Sequence, residues 1–311
     1  MFCAGENYNT DIRDLFRFPS NHVWEALMEP LSIVAISAAV GGIAGKFADK
    51  AWGLGEKWLS DYLRGHAPKA QEKARQNALE FLSELAQRVK KLEQQTERYG
   101  RTIEDSLGDP GFSVLLQKAI ISSAETSDKQ RHELLARLVS DRLTKQSESP
   151  FALSSKLACD ALSALNVRQL KILGVLVNLF AVRPTDFPPP NVPKEILNIM
   201  FQDWLIKRLQ VYRDLTFTHL DLLHLESFSC VKWDPIVSRD LQKLFAYTKE
   251  SGFTFDYAAF SATDVGKRIV QLWKTGLEHA IPTTIGQLIG IYVSDMLTST
   301  TTPLEGWWTE T

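Results

Sequence analysis

Three groups of residues in this chain have the types that chemistry uses. His219, Asp221 and His224 lie close together, and imidazoles beside a carboxylate are ordinary ligands of zinc. Two ligands on one helix want a spacing of four, whereas a spacing of five splays His219 and His224 by roughly 140°. No third ligand stands nearby, so partly exposed histidines are expected here, and no metal. GGIAGK, Gly41 to Lys46, has the glycine and lysine of a phosphate-binding loop. That loop needs four residues between its first glycine and Gly-Lys, then Ser or Thr. Val40 holds the place of the first glycine and Phe47 follows the lysine, so neither nucleotide binding at this run nor any cofactor is expected. Cys3, Cys159 and Cys230 are odd in number and far apart. They draw no disulfide framework and no zinc motif, which suits a reducing cytoplasm, with Cys159 a small buried apolar residue.

The run from Pro30 to Gly45, PLSIVAISAAVGGIAG, carries no charge and ends at Lys46. Read as one helix from Leu31 to Gly45, it places Ser37, Gly41 and Gly45 four apart on a face of small residues. Such a face lets two backbones approach closely. Sixteen uncharged residues span roughly 24 Å, short of a hydrocarbon core of about 30 Å. Two readings stay open: a buried core helix or dimer contact, and a helix that inserts in the inner membrane when released. Glu6, Asp11, Asp14 and Glu25 argue against a secretory leader, and the change of texture at Met28 makes that residue a candidate start.

The elements that must position these residues read as mostly helical. Pro68 opens a long polar helix, Lys69 to about Tyr99. Ala78, Leu82, Leu85, Val89 and Leu92 form its seam in steps of three and four, with Thr96 and Tyr99 beyond. Aromatic Trp52, Trp58 and Tyr62, beside Lys57 and Arg64, suit either a membrane boundary or a packing corner. Helices follow at Phe112–Ala124, Asp128–Gln146, from Pro150 behind a Ser149 cap, and at Val167–Phe180 behind an Asn166 cap. The last is apolar on most sides and therefore central. A formal net charge of −2, with Glu84 and Glu93 around Lys90-Lys91, lacks the basic footprint of a nucleic-acid binder.

RPTDFPPPNVP, residues 183–193, cannot be helix and reads as a stiff connection. Beyond it come a helix over Lys194–Arg208, extended chain over Leu209–Thr218 and a helix from His219 to about Phe228. A short strand follows at Ser229–Trp233, then a helix starting at Asp234-Pro235, an aromatic wing-like strand at Phe253–Phe260, and helices over Asp264–His279 and Ile285–Met296. The expected fold is mainly α: a helical bundle with a long amphipathic helix, then an α-rich, winged-helix-like module with little β. The expected domains are an N-terminal extension (1–27), a helical region (28–182), the proline-rich linker (183–193), the second module (194–298) and a flexible tail (299–311). A DNA reader would set basic residues on the second helix of that module. THLDLLHLESFSCV carries Asp221 and Glu226 and no lysine or arginine, so packing or dimerisation suits it better.

Two resemblances add to this. Arg213 and His219, in RDLTFTH, match the loose arginine-to-histidine spacing of HEPN ribonucleases, a likeness that implies metal-independent RNA cleavage by a pair held on a helix. PLSIVAISAAVGGIAG, KAQEKARQNALEFLSELAQRVKKLE and DPGFSVLLQKAIISSAETSDKQRHELLARLVSDRL together resemble the bacterial Abi-alpha (abortive infection) proteins and related helical families. ALNVRQLKILGVL and IPTTIGQLIG add to that likeness. It covers about half the chain and supplies no catalytic residue. It implies a non-enzymatic anti-phage protein, cytoplasmic or at the inner membrane, forming a homo-oligomer and triggered by a phage-derived or neighbouring-gene protein. A helical scaffold or adaptor, and an RNase using Arg213 and His219, are the alternatives.

Overall fold

The computed structural model describes residues 31–95, 103, 105–184, 187, 189, 191–245 and 254–304. The expectations for residues 1–27, Met28, Thr96 and Tyr99 lie outside them. Among the described residues the fold is mainly α, as expected, with one small antiparallel sheet.

The apolar run is not one helix. Helix α1 (Ile33–Val40) starts where Ser32 Oγ accepts the Ala35 N–H at 3.3 Å, and it stops at Gly41. Gly41 and Gly42 have φ of +63° and +59°, a region open to residues without a Cβ. These two positive values break the run, and α2 (Gly42–Tyr62) leaves in a new direction. Helix α3 (Pro68–Gln95) covers the break. The Glu93 carboxylate accepts the Ile43 and Ala44 N–H groups, both at 3.1 Å, and Lys90 Nζ donates to the Ala39 carbonyl at 3.4 Å. Free N–H groups at a helix start need such acceptors, and the carboxylate adds its charge to the positive end of α2.

The seam of α3 is spent inside the chain. Ala78, Leu82, Leu85 and Val89 are buried and Leu92 is partly buried, facing α2, α4 (Pro110–Ala124) and α5 (Lys129–Arg142). Capping residues set the starts of the next helices. Asp109 accepts the Gly111 N–H at 2.8 Å, and Asp128 that of Gln130 at 3.0 Å. Ser149 caps α6 (Pro150–Ala164), and Asn166 and Gln169 exchange hydrogen bonds at the start of α7 (Val167–Phe180). Leu170, Ile172, Leu173, Val175, Leu176, Val177 and Leu179 are all buried, so α7 is central, as its composition requires.

After Phe180, the Arg183 guanidinium donates to the Leu179 and Leu244 carbonyls, and Phe187 packs 5.4 Å from Phe201 on α8 (Lys194–Leu209). The expected extended stretch begins instead with a 3-10 turn at Gln210–Tyr212, and only 215–218 runs without helical turns before α9 (His219–Ser227). β1 (Val231–Trp233) lies within the expected strand. No helix begins at Pro235, because the Asp234 side chain accepts the Ile236 N–H in a local turn; the helix, α10, is Leu241–Phe245. The expected wing is also corrected. Asp256 caps a helix, α11 (Tyr257–Ala262), and the partner of β1 is β2 (Ala280–Pro282), which follows α12 (Asp264–Lys274). Phe245, Phe255 and Phe260 instead form a ring cluster with Phe201.

The chain then returns to the first helices. α13 (Thr284–Thr298) packs along α7 and also meets α5 and α6. A Cβ on Gly290 would lie 2.5 Å from the Leu173 carbonyl oxygen, so this pair of helices touches backbone to backbone. Ser299 to Thr302, expected to fray, are held by Asp295 through hydrogen bonds from Thr300 Oγ1, the Thr302 N–H and Thr302 Oγ1.

Candidate functional site

Two of the three small residues at the N-terminus meet within the chain. A Cβ on Gly45 would lie 2.8 Å from the Ser37 carbonyl oxygen, and Ser37 Oγ donates to Asp49. Gly41 is the break itself. The face that permits close approach is therefore occupied by the packing of α1 on α2. What α1 presents outward is apolar: Val34 is 74% exposed, Ala35, Ala38 and Ala39 are exposed, and only Ile36 is buried. No helix among the described residues is long and apolar enough to cross a membrane.

Arg213 and His219 are both exposed, but they do not share a helix. Arg213 ends the 3-10 turn, where its carbonyl accepts from Arg268 Nε at 2.9 Å, and His219 begins α9. The helical setting of the ribonuclease pair is missing. His219 stacks 6.1 Å from Trp233, and His224 packs edge-on against Phe228. Asp221 is buried and accepts from the Thr218 N–H at 2.9 Å and Arg168 Nε at 3.2 Å. Its carboxylate fastens the start of α9 to α7.

A polar cleft of about 600 Å³ opens between α3, α5, α13 and the chain beyond α13. At its floor the Asp295 side chain, 1% exposed, accepts from Arg137 Nη2 at 2.8 Å and Arg208 Nη2 at 3.4 Å, besides the threonine donors. The Arg137 guanidinium lies 4.3 Å over the Tyr292 ring, whose hydroxyl donates to Asp141 at 2.7 Å. Arg208 Nε also donates to Asn178, and its Nη2 to Ser294 at 2.9 Å. Four helices, α5, α7, α8 and α13, and the chain beyond α13 are thereby tied through one carboxylate and its neighbours. Buried ion pairs of this kind contribute little net stability, because desolvation offsets attraction.

Burial pushes the Asp141 carboxyl above its usual value, against the Tyr292 hydrogen bond and the Arg137, Arg88 and Lys145 charges that lower it. Burial likewise raises the Tyr292 hydroxyl well above the ordinary phenol range, with Asp141 adding to it. Tyr292 thus stays a hydrogen-bond donor throughout the physiological range. The buried thiols of Cys159 and Cys230 are both pushed up to about 12, far from the reactive thiolate range.

The cleft escapes a reading by spacing, since Arg137 and Asp295 are 158 positions apart. A signal was nevertheless present: Asn178 in KILGVLVNLF and Ser294-Asp295 in IGQLIGIYVSDML are polar residues inside apolar helices, where burial requires partners. No curated protein and no solved structure matches this chain. A protein-family model described as ":-like" matches residues 45–264, more than two thirds of the chain, and the chain belongs to that family.

Proposed function

We propose that this chain is a non-enzymatic bacterial anti-phage protein of the abortive-infection type, acting through contacts made by its apolar N-terminal corner. The observation that carries the reading is α1, built wholly from apolar and small residues yet exposed over most of its surface. An apolar helix held outward on a fixed corner is a contact element. At eight residues it is about 12 Å long, too short to span a bilayer of about 30 Å. Its partner is a second copy of the chain, meeting Val34, Ala35, Ala38 and Ala39 with the same face in a two-fold contact. The setting in phage defence rests on the likeness of the N-terminal segments to Abi-alpha proteins. Cys159 and Cys230 are free thiols, which suits the reducing cytoplasm. A phage-derived or neighbouring-gene protein is the trigger, and the inner-membrane surface a second place the same face can rest.

The test compares wild type with a Val34→Asp/Ala38→Asp variant. Helical content by circular dichroism checks folding, light scattering gives the mass, and phage plating on expressing cells gives protection. Wild type should run as a multiple of 35.1 kDa and protect, while the variant should be a folded monomer that does not. A folded variant that protects as well as wild type overturns the reading.

A further inference from the structure

We propose that the cleft between α3, α5 and α13 binds a small phosphorylated molecule with a flat apolar group, of the mononucleotide type. This goes beyond the contact function of α1 and is independent of it. The volume, about 600 Å³, falls inside the range of roughly 300–1,000 Å³ typical of small-molecule sites. The charges inside it decide the ligand's sign.

Each carboxylate of the cleft is already engaged from within the protein. Glu133 receives Arg88 Nη2 at 3.2 Å. Asp141 receives the Tyr292 hydroxyl and lies 3.8 Å from Arg137 Nε. Asp295 receives Arg137 and Arg208. Lys91 and Lys145 line the same space; neither makes a salt bridge among the described residues, and Lys145 bears on Asp141 through its charge alone. Lys91 is exposed at the mouth, and Lys145 Nζ is steadied 6.0 Å over the Phe151 ring. Arg88, Lys91, Arg137 and Lys145 stand against Glu133, Asp141 and Asp295, so the surplus is one positive charge, and the ammonium groups of Lys91 and Lys145 can take up phosphate oxygens. The exposed Thr301 adds a hydroxyl donor to the lining.

Three apolar side chains line the same space. Leu92, Met296 and Leu304 are partly buried against the core and turn their remaining surface to the cleft. A ligand answering to both kinds of side chain pairs a phosphate with an apolar ring. Arg137, fixed between Asp295 and the Tyr292 ring, makes the floor rigid, so the site needs little ordering on binding.

Isothermal titration of the full chain with AMP, ribose 5-phosphate, adenosine and inorganic phosphate tests this, with wild type beside Lys91→Ala/Lys145→Ala. Neither lysine is in the core, so the variant should fold as wild type, which thermal unfolding checks. AMP should bind best, ribose 5-phosphate and inorganic phosphate more weakly, and adenosine least. The double variant should weaken AMP by about tenfold to a hundredfold, the loss typical of hydrogen bonds to charged groups. Added salt should weaken AMP in wild type and have less effect in the variant. Failure of every phosphate probe at millimolar concentration overturns the proposal. So do equal binding of AMP and adenosine, and AMP binding that survives the double substitution unchanged.

Discussion

Replacing Asp295 by alanine removes one carboxylate and leaves two guanidinium groups without it. Arg137 and Arg208 have side chains 14% and 6% exposed, so water cannot take the place of the lost oxygen atoms at either. Arg208 keeps Asn178, Ser294 and Thr300; Arg137 keeps the Tyr292 ring and a carboxylate oxygen of Asp141 at 3.8 Å. Breaking a buried pair from one side costs about 3–5 kcal/mol. That is a large part of a total stability of about 5–15 kcal/mol. The threonines that close the chain over Asp295 lose their acceptor in the same step. With a urea slope of about 3 kcal/mol/M, the unfolding midpoint should fall by about 1–2 M. Asp295→Asn should recover only part of the loss. Its amide nitrogen must face either Arg137 and the Thr302 N–H, or Arg208 and the two threonine hydroxyls, which are donors on both sides. Adding Arg137→Met to Asp295→Ala should cost less than the two separate losses together, because the pair shares one interaction. A midpoint shift below about 0.3 M at unchanged slope would refute the view that Asp295 holds this region together.

The corner and the cleft carry three further expectations. Gly45→Ala puts a methyl where the Ser37 carbonyl stands at 2.8 Å and should cost about 1–3 kcal/mol by prying α1 from α2, seen as faster amide exchange throughout α1; unchanged exchange would count against the close contact. Gly41→Ala meets no neighbour within 4 Å, and its cost of about 1–3 kcal/mol comes from the backbone at φ +63° and ψ −170°, so the thermal midpoint falls while a Gly41→D-Ala chain made by ligation keeps it. Burial holds the Asp141 carboxyl above its ordinary 3.8, so the folded state takes up the proton more readily than the unfolded one. Its contribution is greatest below the ordinary value and is lost as pH rises through the raised one. Asp141→Asn keeps an acceptor for the Tyr292 hydroxyl and should gain on wild type in thermal midpoint as pH rises from about 4 to about 8; a gain that shrinks over that range would reverse the sign of the burial effect.

The sequence made some of this architecture plain and hid the rest for definite reasons. The seam Ala78, Leu82, Leu85 and Val89 was legible because each residue repeats the burial of the last, and the all-round apolarity of Val167–Phe180 marked the central helix. Periodicity cannot see a backbone angle. Gly41-Gly42 lay inside an unbroken apolar run, and only the fold chose positive φ there. The aromatic residues from Phe253 to Phe260 suggested a strand by propensity, but ring packing around Phe201 and Phe245 outweighed it. Strand β2 is three residues long and finds its partner across three α-helices of the described residues. The cleft draws on residues from Arg88 to Leu304, so its charges converge only after folding.

The packing of α13 on α7 also sets a schedule for synthesis. Thr284 follows Phe180 by 104 positions, which at about 5–20 residues per second is roughly 5–20 s of translation. Throughout that interval α7 has its helical sequence and its apolar surface but not the helix that covers it. The nascent chain therefore carries an open hydrophobic groove while the intervening segments emerge. Chaperone capture during that window, and its release when residues 284–298 arrive, would follow from the order of the elements alone.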